Sequence, residues 1–163
     1  MSAGFQLRRP LHLCAVGFGL GLSPVAPGTV GTLAALPFYV LLMGLPPWVY
    51  LAVVALLGVV GVSICGRAAA DVGVPDHSSI VWDEIVGFLV AAWPLVWGVG
   101  LGHVVVDVIA VFLLFRFFDA VKPWPICVLD RRLHGGIGIV ADDIAAGAAA
   151  ALVLIAAAAF FGG

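Results

Sequence analysis

The chain has 163 residues, 64% hydrophobic and only 10% charged, with a mean hydropathy of +1.24 and a formal net charge of −2. A soluble domain carries roughly 25% charged and about 45–50% apolar residues, so this composition excludes a water-facing globular surface. The faintly acidic balance offers nothing to a nucleic acid, and bilayer is the solvent the sequence suits.

From the N-terminus, the first apolar stretch (LHLCAVGFGLGL, from Leu11) is broken by glycines and runs into Ser23-Pro24 without a small-residue cleavage site, so no cleavable signal peptide is expected. The next segment, GLSPVAPGTVGT, offers Ser23, Thr29 and Thr32 among Gly and Pro, and two readings stand: phosphate binding or tight helix packing. Residues 29–45 form a first candidate span with Pro37 inside it, followed by 47–65; both have the apolar character of a crossing helix. Residues 85–101 and 104–118 are shorter, hence tilted or locally thinning the bilayer, and 144–161 closes the series. Open sheets cannot stand in lipid, so the expectation is one all-α domain over residues 1–163, a polytopic membrane bundle of four to five helices.

Charge position orients the bundle. With five crossings and an inside N-terminus, all seven basic residues (Arg8, Arg9, Arg67, Arg116, Lys122, Arg131 and Arg132) fall on one side, which the positive-inside rule assigns to the cytoplasm. Four crossings would strand Arg8 and Arg9 opposite the rest unless residues 11–45 re-enter or lie in the interface. Eight of the nine acidic residues fall in segments 66–84 and 119–143, on that same face; the exception is Asp107, one helical turn after His103. Cys14, Cys65 and Cys127 have neither metal-ligand spacing nor an even count, so no disulfide framework is expected.

Two acidic segments resemble each other. Residues 80–85 read IVWDEI and residues 139–144 read IVADDI, each followed closely by a glycine, Gly87 or Gly147. A helix macrodipole accounts for one carboxylate at a helix start, worth about 0.3–1 kcal/mol, but adjacent carboxylates repel and the second gains little. The pairs Asp83/Glu84 and Asp142/Asp143 instead suit a hard cation such as Mg2+, held by one or two carboxylates together with phosphate and water. Between them FRFFDAVKPWP sets Arg116, Asp119 and Lys122 three residues apart, on one face of a helix that Pro123 ends. Snorkelling at a membrane boundary explains the two cations alone; beside an acidic cluster they also suit a phosphate. His77, next to Asp76 and close to Asp83, is a candidate for proton transfer. Asp130, Arg131, Arg132 and His134 precede Gly135-Gly136-x-Gly138, a run that either approaches an anion or makes a turn.

Taken in order, GLSPVAPGTVGT, DHSSIVWDEIVG, FRFFDAVKPWPI and GGIGIVADDIAAG resemble the phosphatidylglycerophosphatase A family of bacterial inner-membrane lipid phosphatases, over most of the chain. The resemblance implies a multi-pass enzyme with its active site facing the cytoplasm. It would use Mg2+ to remove the terminal phosphate of phosphatidylglycerophosphate, yielding phosphatidylglycerol and inorganic phosphate. Carried over motif by motif, the implied site residues are Asp76, Asp83, Glu84, Arg116, Asp119, Lys122, Asp142 and Asp143. The resulting assignment has Asp76, His77 and Asp119 as catalytic groups and Arg116, Lys122, Thr29 and Thr32 as substrate contacts. Asp83, Glu84, Asp142 and Asp143 are the metal ligands. The expected partners are the lipid substrate and membrane lipids, with no nucleic acid. Water or a carboxylate, Asp119 included, remains open as the attacking group, with cation-activated water the expected route. A small cation transporter would need carboxylates near the midplane, and a non-catalytic scaffold would need no clustered acids.

Overall fold

Proline decides where several helices begin, because its fixed φ suits a first helical position and its missing N–H is not needed there. In the computed structural model, which describes residues 4–75 and 77–161, Pro10 opens α1 (Pro10–Ala15), Pro27 opens α2 (Pro27–Thr32) and Pro47 opens α4 (Pro47–Val72). A 3₁₀ segment, Gly17–Leu22, links α1 to α2, and α3 covers Ala35–Leu42. Then follow α5 (Trp82–Val96), α6 (Val104–Val121), α7 (Ile126–Arg132) and α8 (Gly135–Phe161). The described residues are helical without a strand, as lipid solvent requires. Of these helices, α4 and α8 are long and apolar enough to cross a membrane.

Over the expected span 29–45, α2 and α3 are two short helices joined through Leu33–Ala34, whose backbone stays right-handed helical, so that Pro27–Leu42 forms one apolar stretch. They run the length of the bundle. Gly28 lines a cavity with Asp83 and Asp142, whereas Tyr39 lines another, at the far end, with Gly98, Gly100 and Asp107. Asp107 does not hydrogen-bond with the His103 side chain there; its Oδ1 accepts from the Leu101 backbone N–H at 2.5 Å and so caps the α5–α6 turn.

Helix α5 is central, packing against α8, α4, α6, α3 and α2. Lipid tails are as apolar as leucine, so helices in a bilayer associate through close packing of small residues rather than by escaping water. The sequence supplies glycine where this is needed. A β-carbon at Gly87 would stand 2.8 Å from the Asp143 carbonyl oxygen and 2.6 Å from the Phe115 ring, and one at Gly147 would run into the Gly87 carbonyl oxygen. Likewise a β-carbon at Gly66 of α4 would lie 3.2 Å from Gly136 Cα of α8. Where α5 is not held by such approaches, buried polar tips fix it: Tyr50 Oη donates to the Leu89 carbonyl at 2.8 Å and Trp82 Nε1 to that of Leu57 at 3.2 Å.

The N-terminal segment is clamped to the end of α4. His12, buried, accepts the Gln6 N–H on Nδ1 at 2.9 Å, so its Nε2 carries the proton donated to Asp71 at 3.0 Å. Arg9 also reaches Asp71, at 2.8 Å. This anchors α1 so that the Ala15 carbonyl can take the Val81 N–H at 2.8 Å, just ahead of α5.

If the glycine crossing sets the distance between α5 and α8, Gly147→Val must push them apart. Overpacking of this kind costs about 1–3 kcal/mol, so the variant should melt at lower temperature in detergent while Gly44→Val, at a position with open space, should not. Equal melting of the two would remove the crossing from its supporting role.

Candidate active site

Crossing α5 over α8 at two glycines brings the repeated motifs together. Asp83 and Glu84 lie in the first turn of α5, where the macrodipole favours them. Asp142 and Asp143 do not open α8, contrary to expectation: that helix starts at Gly135, two turns earlier. Helix capping therefore cannot explain the second pair. All four carboxylates line one cavity of about 250 Å³ with Gly28, Ser78, Arg116, Asp119 and Lys122.

Most of this charge is buried. Asp83, Asp142 and Asp143 retain 7%, 5% and 4% of their exposure, values at which a carboxylate needs compensation. Arg116 supplies part of it: its Nη1 lies 2.5 Å from Asp119 Oδ2 and 3.1 Å from Glu84 Oε2. Thr32 is fully buried, its Oγ1 2.6 Å from Glu84 Oε2 and 2.8 Å from the Gly28 carbonyl oxygen. One hydroxyl proton serves both acceptors, so Thr32 positions Glu84. Gly28 must be glycine here, since a β-carbon would lie 2.5 Å from Glu84 Oε1 and 3.0 Å from Arg116.

Lys122 departs from the expected helix face. It stands just past α6 in the left-handed region, φ 44° and ψ 59°, a conformation that is strained for a residue with a β-carbon. The turn carries its ammonium across to α7 and α8, where it donates to Asp130 at 2.7 Å and to Asp142. Burial disfavours the ammonium, but these two hydrogen bonds outweigh it and hold the Lys122 pKa above the ordinary lysine value. The same contact with Lys122 holds the Asp130 carboxyl below its usual range. Both groups are thus charged throughout the neutral range.

Other expected residues lie apart from this cavity. His77 is not among its lining residues: its Nδ1 accepts the Ser79 N–H at 3.1 Å and its ring packs edge-on against Phe5 at 5.1 Å. Thr29 is exposed on α2 and does not line it either. Asp76 lies outside the described residues. The sequence gives no role to Gly28 or Ser78, and it sets Asp130 in the run before Gly135 rather than beside Lys122. Gly28 immediately precedes Thr29, and Asp130 is eight residues beyond Lys122, a separation that only the turn at Pro123 and Pro125 makes short.

The donor set is all oxygen and unbalanced, five carboxylates against two cations. Asp143 Oδ2 is buried without a hydrogen-bond partner among the described residues. Those residues contain no group of three His, Cys, Asp or Glu side chains close enough to cage a metal. An all-oxygen donor set is of the type a hard cation takes.

A helical bundle that places buried carboxylates beside a guanidinium and an ammonium defines a class, one equipped to handle phosphoryl groups. Residues 13–158 match the family model for Phosphatidylglycerophosphatase A, and the chain belongs to that family, which makes it an enzyme of the phosphatase class. It is 47% identical over 148 residues to the Phosphatidylglycerophosphatase A of Escherichia coli (strain K12), covering 87% of this chain and 80% of that one. With the Phosphatidylglycerophosphatase A of Haemophilus influenzae it shares 45% identity over 145 residues, 86% of this chain and 84% of the relative. No solved structure gives a significant match.

Geometry at the two cations should matter as much as charge, because a guanidinium is a planar fork and an ammonium a point. Arg116→Lys and Lys122→Arg should each lower kcat/KM for phosphate release at least about tenfold, roughly 1.4 kcal/mol, with melting temperatures near wild type. Turnover within about twofold of wild type for both would leave them as membrane-boundary anchors.

Proposed function

We propose that the protein hydrolyses the terminal phosphomonoester of phosphatidylglycerophosphate, with Mg2+ as cofactor, at the cytoplasmic face of a bacterial inner membrane. Water adds to phosphorus, the ester P–O bond breaks, and phosphatidylglycerol leaves with inorganic phosphate. The observation that carries the reading is the convergence of two carboxylate pairs with Arg116 and Lys122 in one buried cavity. Without a further cation, so acidic a pocket would repel a phosphate dianion.

Asp83, Glu84, Asp142 and Asp143 would hold the Mg2+, whose charge offsets that of the phosphoryl oxygens and favours attack by water. Arg116 and Lys122 exchange part of their contact with carboxylates for the equatorial phosphoryl oxygens, where charge spreads in the transition state. Asp119 holds the Arg116 fork in place and takes the proton of the attacking water. Ser78 and Gly28 shape the mouth, and the glycine keeps backbone close to the phosphate.

The same proposal has five membrane crossings: α2–α3 as one broken crossing, then α4, α5, α6 and α8. Gly28 and Tyr39 at opposite ends of the bundle support the first of these. Trp48, Trp93 and Trp97, with ring centroids 5.0 Å (Trp48–Trp97) and 5.2 Å (Trp93–Trp97) apart, sit at the start of α4 and the end of α5. That is where an interfacial aromatic belt belongs if the carboxylates face the cytoplasm. A transporter reading is weaker, because the acids gather near one end.

Purified protein in detergent should release phosphate from phosphatidylglycerophosphate with Mg2+ and stop with a chelator. Asp83→Asn and Asp142→Asn should each abolish that release while the protein inserts normally; near wild-type activity at limiting Mg2+ in either would contradict the ligand assignment. Reporter fusions should place the N-terminus in the cytoplasm and the C-terminus opposite. Two cytoplasmic ends would require an even number of crossings.

A further inference from the structure

Beside the cavity with the carboxylates the described residues line a larger one. About 590 Å³ in volume, it lies between the C-terminal end of α4 and the segment from α7 into α8. Gly66, Ala69, Ala70 and Gly73 form its α4 wall. These positions share one helix face, and their small side chains leave the space open. On α8, Gly135, Gly138 and Ile139 continue the lining, and the next residue on that face is Asp142. Asp142 also lines the carboxylate pocket. The two cavities are therefore neighbours across one side chain.

What separates them is ionic. Lys122 lines the carboxylate pocket, Asp130 lines the larger cavity, and Lys122 bonds to both Asp130 and Asp142. The larger cavity is otherwise mainly apolar, with His134 as a further polar group near Asp130 in the chain. A molecule spanning both spaces needs an anionic phosphate at one end and an apolar body at the other. The smaller pocket has room for a phosphoryl group and its cation but not for a glycerolipid.

We propose that the larger cavity seats the part of the lipid that follows the phosphate held in the carboxylate pocket, its head-group glycerol and phosphodiester and then the glycerol backbone with the first acyl carbons, and that Ala70 is a specificity-determining position within it. This rests on the phosphatase reading of the adjoining site. Ala70 is exposed on α4, so a larger side chain there fills the cavity without entering the helix core.

The test uses the full chain in detergent micelles and a phosphatidylglycerophosphate analogue with a diazirine near the ester end of one acyl chain. After irradiation, label should concentrate on peptides carrying Ala69–Gly73 and residues 133–139, and Ala70→Trp should remove most of it. Label spread equally over lipid-facing residues 51–62, or undiminished by Ala70→Trp, would overturn the proposal. In kinetics on the unlabelled long-chain lipid, Ala70→Trp should raise KM about fivefold or more with kcat changed less than about twofold. Leu56→Trp, also at an exposed position on α4, should alter neither, and Ala70→Leu should shift KM in the same direction by less. An unchanged KM for both Ala70 variants, or a fall in kcat alone, would also overturn it. Should the wild-type chain release no phosphate from the lipid, the functional reading fails, and the labelling pattern still decides where the lipid body sits.

Discussion

The contact between Gly87 and Gly147 governs the rest of the molecule. Two helices that each carry an adjacent carboxylate pair would ordinarily stay apart, because the pairs repel and lipid supplies no hydrophobic pressure to force them together. Removing both β-carbons at the crossing lets backbone meet backbone, and dispersion over that contact holds the acids in one cavity. Everything polar nearby follows: Arg116 and Lys122 are drawn in as partial compensation, and Thr32 is buried to orient Glu84. The unbalanced remainder is a demand for positive charge that an incoming cation would satisfy.

Much of this was legible in the sequence because membrane solvent permits few solutions. Long apolar runs marked α4, α5, α6 and α8, and the repeated Ile-Val-x-Asp pattern marked four carboxylates that line one cavity. The start of α8 was not legible. Gly135-Gly136-x-Gly138 reads as a turn by local propensity, and Gly135 does take a left-handed φ of 68° with open space around it, but the chain is already helical from there and Gly136 packs directly against α4. Tertiary contact overrode propensity there.

Lys122 was misplaced for a related reason. Three-residue spacing implies a shared helix face only while the helix lasts, and α6 ends at Val121. The left-handed turn then points the ammonium toward residues that no periodicity connects to it. Asp130, whose role depends wholly on that turn, had no local signal. His77 shows the opposite failure: closeness in sequence to Asp83 suggested a shared site, whereas its ring is used against Phe5 to hold the N-terminal segment.

Because α5 supplies one carboxylate pair and α8 the other, the site has an order of appearance during synthesis. The ribosome delivers Asp83, Glu84, Arg116 and Asp119 well before Asp142 and Asp143, so the earlier helices first hold an incomplete acid cluster. Arg116 can pair with Glu84 and Asp119 meanwhile, but Lys122 has no Asp142 to meet until the last helix docks. A chain stopped before α8 would thus be inert as well as loosely assembled. The geometry that builds the cavity from two distant segments also keeps an unfinished chain from presenting the complete carboxylate cluster.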